Sequence, residues 1–312
     1  MVTRPNNQRQ GHPIDTQIVA IYCICDDILK GLHHCEDKQC QMSDAEVMTT
    51  SIVAGLYFSG NMEKSRIFLQ EHGYIPRMLE KSRFNRRQHK IAELFLVVFD
   101  LLGSFWKQLN EKSVYAMDSF PVSVCDNYRI QRCHLYHGED WLGHQASKRR
   151  YYYGLKIHLL VTQQGQPVEF FLTPGSWSDT RVLKMYKFDL PKDSLITGDK
   201  AYNDYAFEDS LREAQIDLQP LRKKNSKRPI SAWLTYMLAC YRKVIETTGS
   251  LIEQLLPKHI HAVTARGFEL NVAIFVLATS FNFLKVATYV KLSSHHQPIH
   301  GHIGRCIGRC IG

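Results

Sequence analysis

The sequence predicts an α/β protein in which a mixed β-sheet is flanked by helices and preceded by a helical N-terminal region. Two changes in hydrophobic period support this prediction. The first third has helical spacing, strand-type alternation begins near residue 113, and a sustained 3.6-residue period returns after residue 229. The chain of 312 residues, 44% hydrophobic and 22% charged, is long enough to bury a substantial core, which excludes disordered and fibrous classes.

The N-terminal region, residues 1–112, is predicted to be helical. Ser43-Asp-Ala-Glu46 has the spacing of a capping box before an apolar run that Gly60-Asn61 ends. A longer helical pattern extends from about Pro76 to Leu109, and Gly103 is its weakest point. Five cations of this pattern stand within ten residues that hold no acid, which indicates either a solvated face or a contact with DNA phosphates: Lys81, Arg83, Arg86, Arg87 and Lys90.

Alternation between residues 113 and 221 predicts five strands. An antiparallel meander comes first and two further strands follow it, at 114–124, 151–162, 167–173, 194–199 and 216–221. Asp179 and Asp204 stand where helix N-caps belong, before helices in the two later connections. The stretch Arg222–Arg228, with five cations in seven residues, is expected to form an exposed basic loop.

Two helices and a tail are predicted for the C-terminal part. The longest helical pattern opens at Pro229 and ends before Pro257. The most apolar stretch, Val272 to Leu284, is shorter than the roughly 20 residues that cross a bilayer, so a core helix is expected and no membrane partner. Residues 293–312 hold four His, four Gly and two Cys without an apolar period, which predicts a disordered tail.

Charge and cysteine usage indicate the partner and the compartment. The formal net charge is +9, and residues 113–312 hold most of the excess, with 25 basic and 17 acidic side chains. This excess suggests a polyanion partner. Nine scattered cysteines, together with a polar N-terminus that lacks a signal-peptide pattern, predict reduced thiols in a cytoplasmic protein.

Three carboxylates stand out by position. Asp118 lies within the first strand, Asp199 just past the fourth, and Glu246 beside the buried stripe of the long helix. Any one of them alone is most simply a cap, an edge residue or an ion-pair partner. Together they would repel one another and hold protons at neutral pH unless hard cations neutralised them. The pattern predicts a divalent-metal site, and two ions there would suit phosphodiester cleavage or transfer.

Four motifs follow one another in the second part of the chain: Ala116-Met-Asp118-Ser-Phe-Pro-Val, Tyr153-Gly-Leu-Lys-Ile-His158, Thr197-Gly-Asp199-Lys-Ala-Tyr202 and Arg242-Lys-Val-Ile-Glu246-Thr. In this order they resemble the DDE transposases of bacterial insertion sequences, and most closely the insertion-sequence 982 family. The resemblance covers residues 113–284 strongly and the N-terminal part more loosely. Many related elements carry a lysine or arginine two turns after the glutamate, where this chain has Glu253.

The resemblance implies a ribonuclease-H-like catalytic domain over residues 113–292 and a DNA-binding region over 1–112. Asp118, Asp199 and Glu246 would be the catalytic residues and would bind two Mg²⁺ or Mn²⁺ ions. The implied partners are the terminal inverted repeats of the element and target DNA, and synapsis of two DNA ends implies a homodimer or a higher assembly. The expected location is cytoplasmic and nucleoid-associated.

Contacts with DNA are predicted for cations on the basic helical pattern and at the rim of the sheet. The arginine one turn before the catalytic glutamate, Arg242, is added by the resemblance. Lys156 lies on a polar strand face that looks either toward DNA or toward water. The full set is Arg83, Arg86, Arg87, Lys148, Arg149, Arg150, Lys156, Lys223, Lys224, Lys227, Arg228 and Arg242.

Other candidate ligands have simpler interpretations. Three acids in the polar connection between the first two strands are interpreted as solvated: Asp126, Glu139 and Asp140. A zinc site is disfavoured because the Cys-x4-Cys pair has no second pair at finger spacing; its candidates would be His33, His34, Cys35 and Cys40. No Gly-rich phosphate loop occurs, so no nucleotide cofactor is expected.

Two other functions stay open from the sequence. One is a catalytically inactive, transposase-derived DNA-binding protein that acts as a repressor or an architectural factor. Intact Asp118, Asp199 and Glu246 argue against it. The other is a structure-specific DNA nuclease, which would release nicked products instead of strand-transfer joints.

Overall fold

Helices make up the N-terminal part of the chain. The structure is a computed structural model that describes residues 13–145, 148–257 and 259–284, so the predicted tail lies outside it. Five helices precede the first strand in the described part: α1 Pro13–Gly31, α2 Asp44–Tyr57, α3 Met62–Glu71, α4 Lys81–Lys90 and α5 Ala92–Leu109. The helical spacing predicted for the first third is confirmed over these spans.

The helix expected from Pro76 to Leu109 is divided. It breaks at Ile91, which ends α4 and precedes α5, whereas Gly103 lies inside an intact α5. A Cβ atom on Gly103 would stand 2.4 Å from the carbonyl oxygen of Val168. The absence of a side chain at Gly103 therefore allows α5 to pack closely against the backbone of β4. The prediction that the helix is weakest at Gly103 was wrong.

A six-stranded mixed sheet follows α5. Its strands are β1 Val114–Cys125, β2 Leu142–Gln145, β3 Arg150–Thr162, β4 Pro167–Pro174, β5 Ser194–Gly198 and β6 Ile216–Pro220. β1, β3 and β4 form an antiparallel meander, and β5 and β6 run parallel to β1 in the order β2-β3-β1-β5-β6, with β4 also paired to β3. The five predicted strands are confirmed. β2 was missed because its four residues show no hydrophobic alternation.

The later helices are α6 Asp179–Met185, α7 Tyr205–Glu213, α8 Ala232–Leu255 and α9 Ala265–Asn282. α8 begins three residues later than the pattern at Pro229 suggests, because Ser231 is its N-cap. α9 contains most of the apolar stretch that was expected to be a core helix, and its residues from Val272 to Phe281 are buried. In the part of the chain that the structure describes, no helix is long and apolar enough to span a bilayer.

Helix caps explain most of these boundaries and correct one prediction. The capping box of α2 is present: Ser43 Oγ accepts the N–H of Glu46 at 3.2 Å, and Glu46 accepts the N–H of Ser43 at 2.7 Å. Asp204 caps α7, as predicted. Asp179 does not cap α6, because that place belongs to Ser178 and Asp179 is the first helical residue.

The sheet separates two hydrophobic clusters. Successive residues of a strand face opposite sides, and in β1 Ala116 belongs to a cluster with Ile245 of α8, whereas Met117 belongs to a second cluster with Leu183 of α6. Asp118 shares the parity of Ala116 and so lies on the α8 side. The first cluster also contains side chains of α1, α2, α5 and α9, so the N-terminal helices share a core with the sheet.

The solvated acids and the thiols agree with the sequence-based expectations. Asp126, Glu139 and Asp140 are exposed. The cysteines of the described ranges are all free thiols: Cys23, Cys25, Cys35, Cys40, Cys125, Cys133 and Cys240.

Candidate active site

Asp118 and Asp199 lie where two parallel strands separate. The register of β1 and β5 ends with the pair Ala116 and Thr197, and each aspartate follows its paired residue by two positions. Each carboxylate also accepts the N–H of the next residue, Ser119 at 2.8 Å for Asp118 and Lys200 at 2.6 Å for Asp199. The strand ends thus bring two acids of distant sequence together and fix an oxygen of each.

Glu246 joins this pair through Arg242. The two residues lie one turn apart on α8, which packs against β1, and Arg242 Nε stands 2.9 Å from Glu246 Oε1 in an ion pair that lacks hydrogen-bond geometry. Arg242 Nη1 donates to Asp199 Oδ1 at 3.0 Å. One guanidinium therefore links the end of β5 to the helix that carries Glu246.

The electrostatics of the cluster favour an added cation. Burial raises the pKa of Asp118 to about 6, and the charges of Asp199 and Asp179 act in the same direction. The N–H of Ser119 and the guanidinium of Arg242 oppose this rise. The side chains of Asp199 and Glu246 are 34% and 50% exposed, so a large substrate can reach them.

Asp179 is the site residue that sequence reasoning misassigned. Instead of capping α6, its carboxylate accepts a hydrogen bond from Ser119 Oγ at 2.9 Å. Lys156 Nζ lies 3.4 Å from the same oxygen and donates to the Trp177 carbonyl at 2.8 Å. Lys156 thus points neither to water nor to the open rim, and its predicted contact with DNA is untested. The alternation of Lys156 and His158 on β3 was the available signal for a polar cluster.

The basic helix α4 presents some of its cations to solvent and turns one inward. Arg83 and Arg86 are exposed, as are the lysines at its two ends. Arg87 is held inside: its Nε donates to Asp44 at 2.6 Å, and its Nη1 donates to the sulfur of Cys40 at 2.8 Å. Of the three arginines predicted to contact DNA from this helix, two are placed to do so.

The basic loop Arg222–Arg228 shows the same division. Both arginines bind acids of α7, since Arg222 is bidentate to Glu208 at 2.6 and 2.9 Å and Arg228 pairs with Asp209 at 2.7 Å. Glu208 is buried, so these bonds anchor the loop. The three lysines are exposed and point the remaining charge outward: Lys223, Lys224 and Lys227.

The turn between β2 and β3 contributes the other rim cations. Lys148, Arg149 and Arg150 are exposed. Lys148 Nζ lies 3.5 Å from Glu253 Oε2 on α8. The position of Glu253, which the resemblance singles out, therefore faces a lysine from another part of the chain.

A second acidic group lies among the N-terminal helices. His34, Glu36 and Asp44 place ligand-type atoms within 4.8 Å of one another. His34 Nε2 is 2.8 Å from Asp44, which also binds Arg87. The Arg87 guanidinium already neutralises Asp44 and also donates to Cys40. The group therefore has the contacts of a structural ion-pair network. Of the four residues considered for zinc from the sequence, this group contains His34.

Comparisons with known proteins address the region around the three acids. No protein of curated function matches the chain. Among solved structures, the cryo-EM structure of a piggyBac transposase synaptic complex with hairpin DNA is similar at a TM-score of 0.42 and 10% identity, over 93% of this chain and 78% of that chain. Residues 108–261 match the family model described as "Transposase DDE domain". These residues include Asp118, Asp199 and Glu246, so the similarity to a transposase DDE domain covers all three candidate acids.

Proposed function

We propose that the chain is an insertion-sequence transposase, of the 982 type, that cleaves DNA strands and joins them to a target. The placement of three acids carries the proposal: Asp118 and Asp199 each follow the last residue pair of two parallel strands by two positions, and Arg242 links Asp199 to Glu246. The match to a transposase DDE domain over the same residues supports it.

The three acids suit two Mg²⁺ or Mn²⁺ ions. They offer only hard carboxylate oxygens, which these ions prefer, and the guanidinium between two of them marks the place where positive charge is stabilised. When bound, the ions would activate an attacking oxygen and stabilise the leaving oxygen at phosphorus. The backbone N–H groups of Ser119 and Lys200 orient two of the ligands.

The fold assigned to residues 113–292 is ribonuclease-H-like, as the resemblance implies. An antiparallel meander continued by two strands parallel to β1 supports this assignment. Residues 1–112 are proposed as the DNA-binding region, because α4 presents Arg83 and Arg86 to solvent on a helix without acids. The exposed lysines of the basic loop would track the DNA backbone beside the catalytic carboxylates.

The proposed partners are the terminal inverted repeats of the element and target DNA, bound by a homodimer or higher assembly in the cytoplasm. Arg242 has two roles in this proposal. Without metal it holds Asp199 and Glu246 together, and with metal bound it would be available to a phosphate near the reacting strand. Its position one turn before Glu246 permits both contacts.

The test is strand cleavage and joining on a duplex that carries the element's own end. Asp118→Asn, Asp199→Asn and Glu246→Gln keep the shape of each side chain and remove the charge that holds a cation, so each should abolish both reactions while DNA binding persists. Asp204→Asn is the matched control, because asparagine caps a helix as well as aspartate does.

The product identifies the reaction class. A transposase gives strand-transfer joints with magnesium or manganese and none with chelator. Nicks without joints would instead identify a nuclease. If all three acidic variants cut like the parent, the chain is not an enzyme that uses these residues and the proposal is wrong.

A further inference from the structure

A charged cluster lies behind β1, on the face opposite the proposed metal ligands. In the antiparallel register of β1 and β3, Ser119 stands opposite His158, and Pro121 stands opposite Lys156. Residues that are directly opposite share a face, so Ser119, His158 and Lys156 point to the α6 side, whereas Asp118 points to the α8 side. Asp179, at the start of α6, meets this polar face.

Asp179 is the centre of the cluster. Its Oδ1 accepts from Ser119 Oγ at 2.9 Å and lies 3.4 Å from Lys156 Nζ and 3.9 Å from His158 Nδ1. The side chains of Asp179 and Lys156 are each only 17% exposed. A carboxylate with so little exposure is stabilised by a cationic partner.

Lys156 is that partner. His158 is fully buried, its ring stacks on Phe171 with centroids 4.8 Å apart, and its Nε2 lies 3.0 Å from Thr173 Oγ1. Burial lowers the pKa of His158 to about 3, so the imidazole is neutral at neutral pH. The lysine also donates to the carbonyl of Trp177, which fixes its position against the carboxylate.

The segment that carries Asp118 is held by a neighbouring strand on one side only, where it pairs with β3. The pairing of β1 with β5 ends at Ala116, so Asp118 and Ser119 lie beyond the last residue that β5 holds. Ser119 makes two bonds there: its N–H donates to Asp118 Oδ1 at 2.8 Å, and its Oγ donates to Asp179. A single serine therefore connects Asp179 on one face of the strand to the proposed ligand on the other.

We propose that Asp179 is a positioning residue, which holds Ser119 and through it fixes the carboxylate of Asp118 for metal binding. The inference rests on the proposed function of Asp118 as a ligand. Groups that hydrogen-bond a ligating carboxylate from outside the metal site orient it, and losing one typically weakens metal binding about 10- to 100-fold. The Lys156 ammonium pairs with the Asp179 carboxylate and holds it in place.

The experiment measures Mn²⁺ binding to the full-length protein without DNA, by the electron paramagnetic resonance signal of free Mn²⁺. Ser119→Ala and Asp179→Ala each remove the bond between these two side chains but keep the N–H of residue 119, so each should raise the Kd for Mn²⁺ about 10-fold, the lower end of that range. The double variant should bind no more weakly than the weaker single variant, because both changes break one connection. Asp179→Asn keeps an acceptor oxygen for Ser119 and should recover part of the affinity.

The controls separate this inference from the proposed function. Asp204→Asn, another aspartate at the start of a helix, should bind Mn²⁺ like the parent, and Asp118→Asn should lose most binding. High Mn²⁺ concentration should restore DNA cleavage in Ser119→Ala and Asp179→Ala but not in Asp118→Asn. Should Asp179→Ala fail to fold by circular dichroism, Ser119→Ala still decides the matter.

Three outcomes are contrary. If Ser119→Ala binds Mn²⁺ like Asp204→Asn while Asp118→Asn has lost binding, Asp179 has no positioning role and the proposed function stands. Additive losses in the double variant would show that Ser119 and Asp179 act separately, which also overturns the inference. If Asp118→Asn binds Mn²⁺ and cuts DNA like the parent, the proposed function itself fails.

Discussion

Two arginine–carboxylate clusters of this molecule differ mainly in exposure. Among the N-terminal helices, Arg87 donates to Asp44 at 2.6 Å, and these side chains are 14% and 4% exposed. In the region that matches the DDE-domain model, Arg242 contacts Asp199 at 3.0 Å, and these side chains are 35% and 34% exposed. We call the first pair sealed and the second open. A buried carboxylate cannot replace its arginine with water or an ion from solution, whereas a partly exposed carboxylate can exchange the arginine for another cation. The same two types of side chain thus form a buried structural ion pair in one place and a candidate metal site in the other.

Breaking the sealed pair should have the largest effect on stability. Arg87→Gln leaves the buried carboxylate of Asp44 without its guanidinium, and losing one partner of a buried pair costs about 3–5 kcal/mol in the free energy of unfolding. Urea denaturation measures this cost. Arg86→Gln on the same helix is exposed and should change stability by less than about 0.5 kcal/mol. Equal urea midpoints for the two variants would contradict the assignment of Arg87 to a structural role.

Removing a negative charge from the open cluster should stabilise the protein when no metal is present. The pKa of Asp118 is about 6 in the folded chain against 3.8 for an unperturbed aspartate. Between these values the folded state binds more protons than the unfolded state, so the free energy of unfolding falls as pH rises from about 4 to about 6. In chelator at pH 7, Asp118→Asn should be more stable than the parent by up to about 3 kcal/mol.

The pH dependence is the diagnostic part of that prediction. At pH 4 the aspartate of the parent is protonated in the folded state, and the two proteins should unfold at nearly equal urea concentrations. At pH 7 the difference in the free energy of unfolding between Asp118→Asn and the parent should reach its full value. A gap that does not change between pH 4 and pH 7 would mean that the pKa of Asp118 is close to its ordinary value.

The sequence predicted the positions of the candidate acids on strands and helix better than it predicted the hydrogen bonds and ion pairs of the charged side chains. The strand periods placed Asp118 and Asp199 correctly, because hydrophobic alternation reports which residues lie in a sheet. The helix stripe likewise placed Glu246 on a face next to the core. Their joint identification depended on four motifs in register, since position alone leaves each acid with a simpler interpretation.

Side-chain direction at charged positions was the part that the sequence could not supply. Asp179 has the position of a cap, yet its partners Ser119 and Lys156 lie 60 and 23 residues away. Arg87 looks like its neighbours on α4, but its acid partner is 43 residues distant. Charges bind whichever opposite charge the fold brings near, and a local pattern contains no information about such partners.

The open cluster should tolerate loss of its arginine far better than the sealed one. Arg242→Gln removes two ion pairs between partly exposed groups, each worth up to about 1 kcal/mol in the free energy of unfolding. Urea denaturation in chelator gives this value beside that of Arg87→Gln. Lys243→Gln, an exposed neighbour on α8, serves as the control. A loss near that of Arg87→Gln would show that the two clusters are energetically alike.

The smallest effect on stability is expected from the basic loop, where the same contrast is repeated within seven residues. Arg222 and Arg228 are bound to acids of α7, whereas the three lysines are exposed, so replacing the lysines with glutamine should leave the free energy of unfolding within about 0.5 kcal/mol of the parent. Replacing the three lysines should instead weaken binding to DNA of any sequence and flatten its salt dependence, by roughly 0.9 in log–log slope for each phosphate contact. Binding isotherms at several salt concentrations measure both the affinity and this slope. A variant with Lys38, Lys187 and Lys192 replaced loses the same charge from exposed positions elsewhere, and should keep the slope of the parent. Equal slopes for both variants would make the loop a solvated surface.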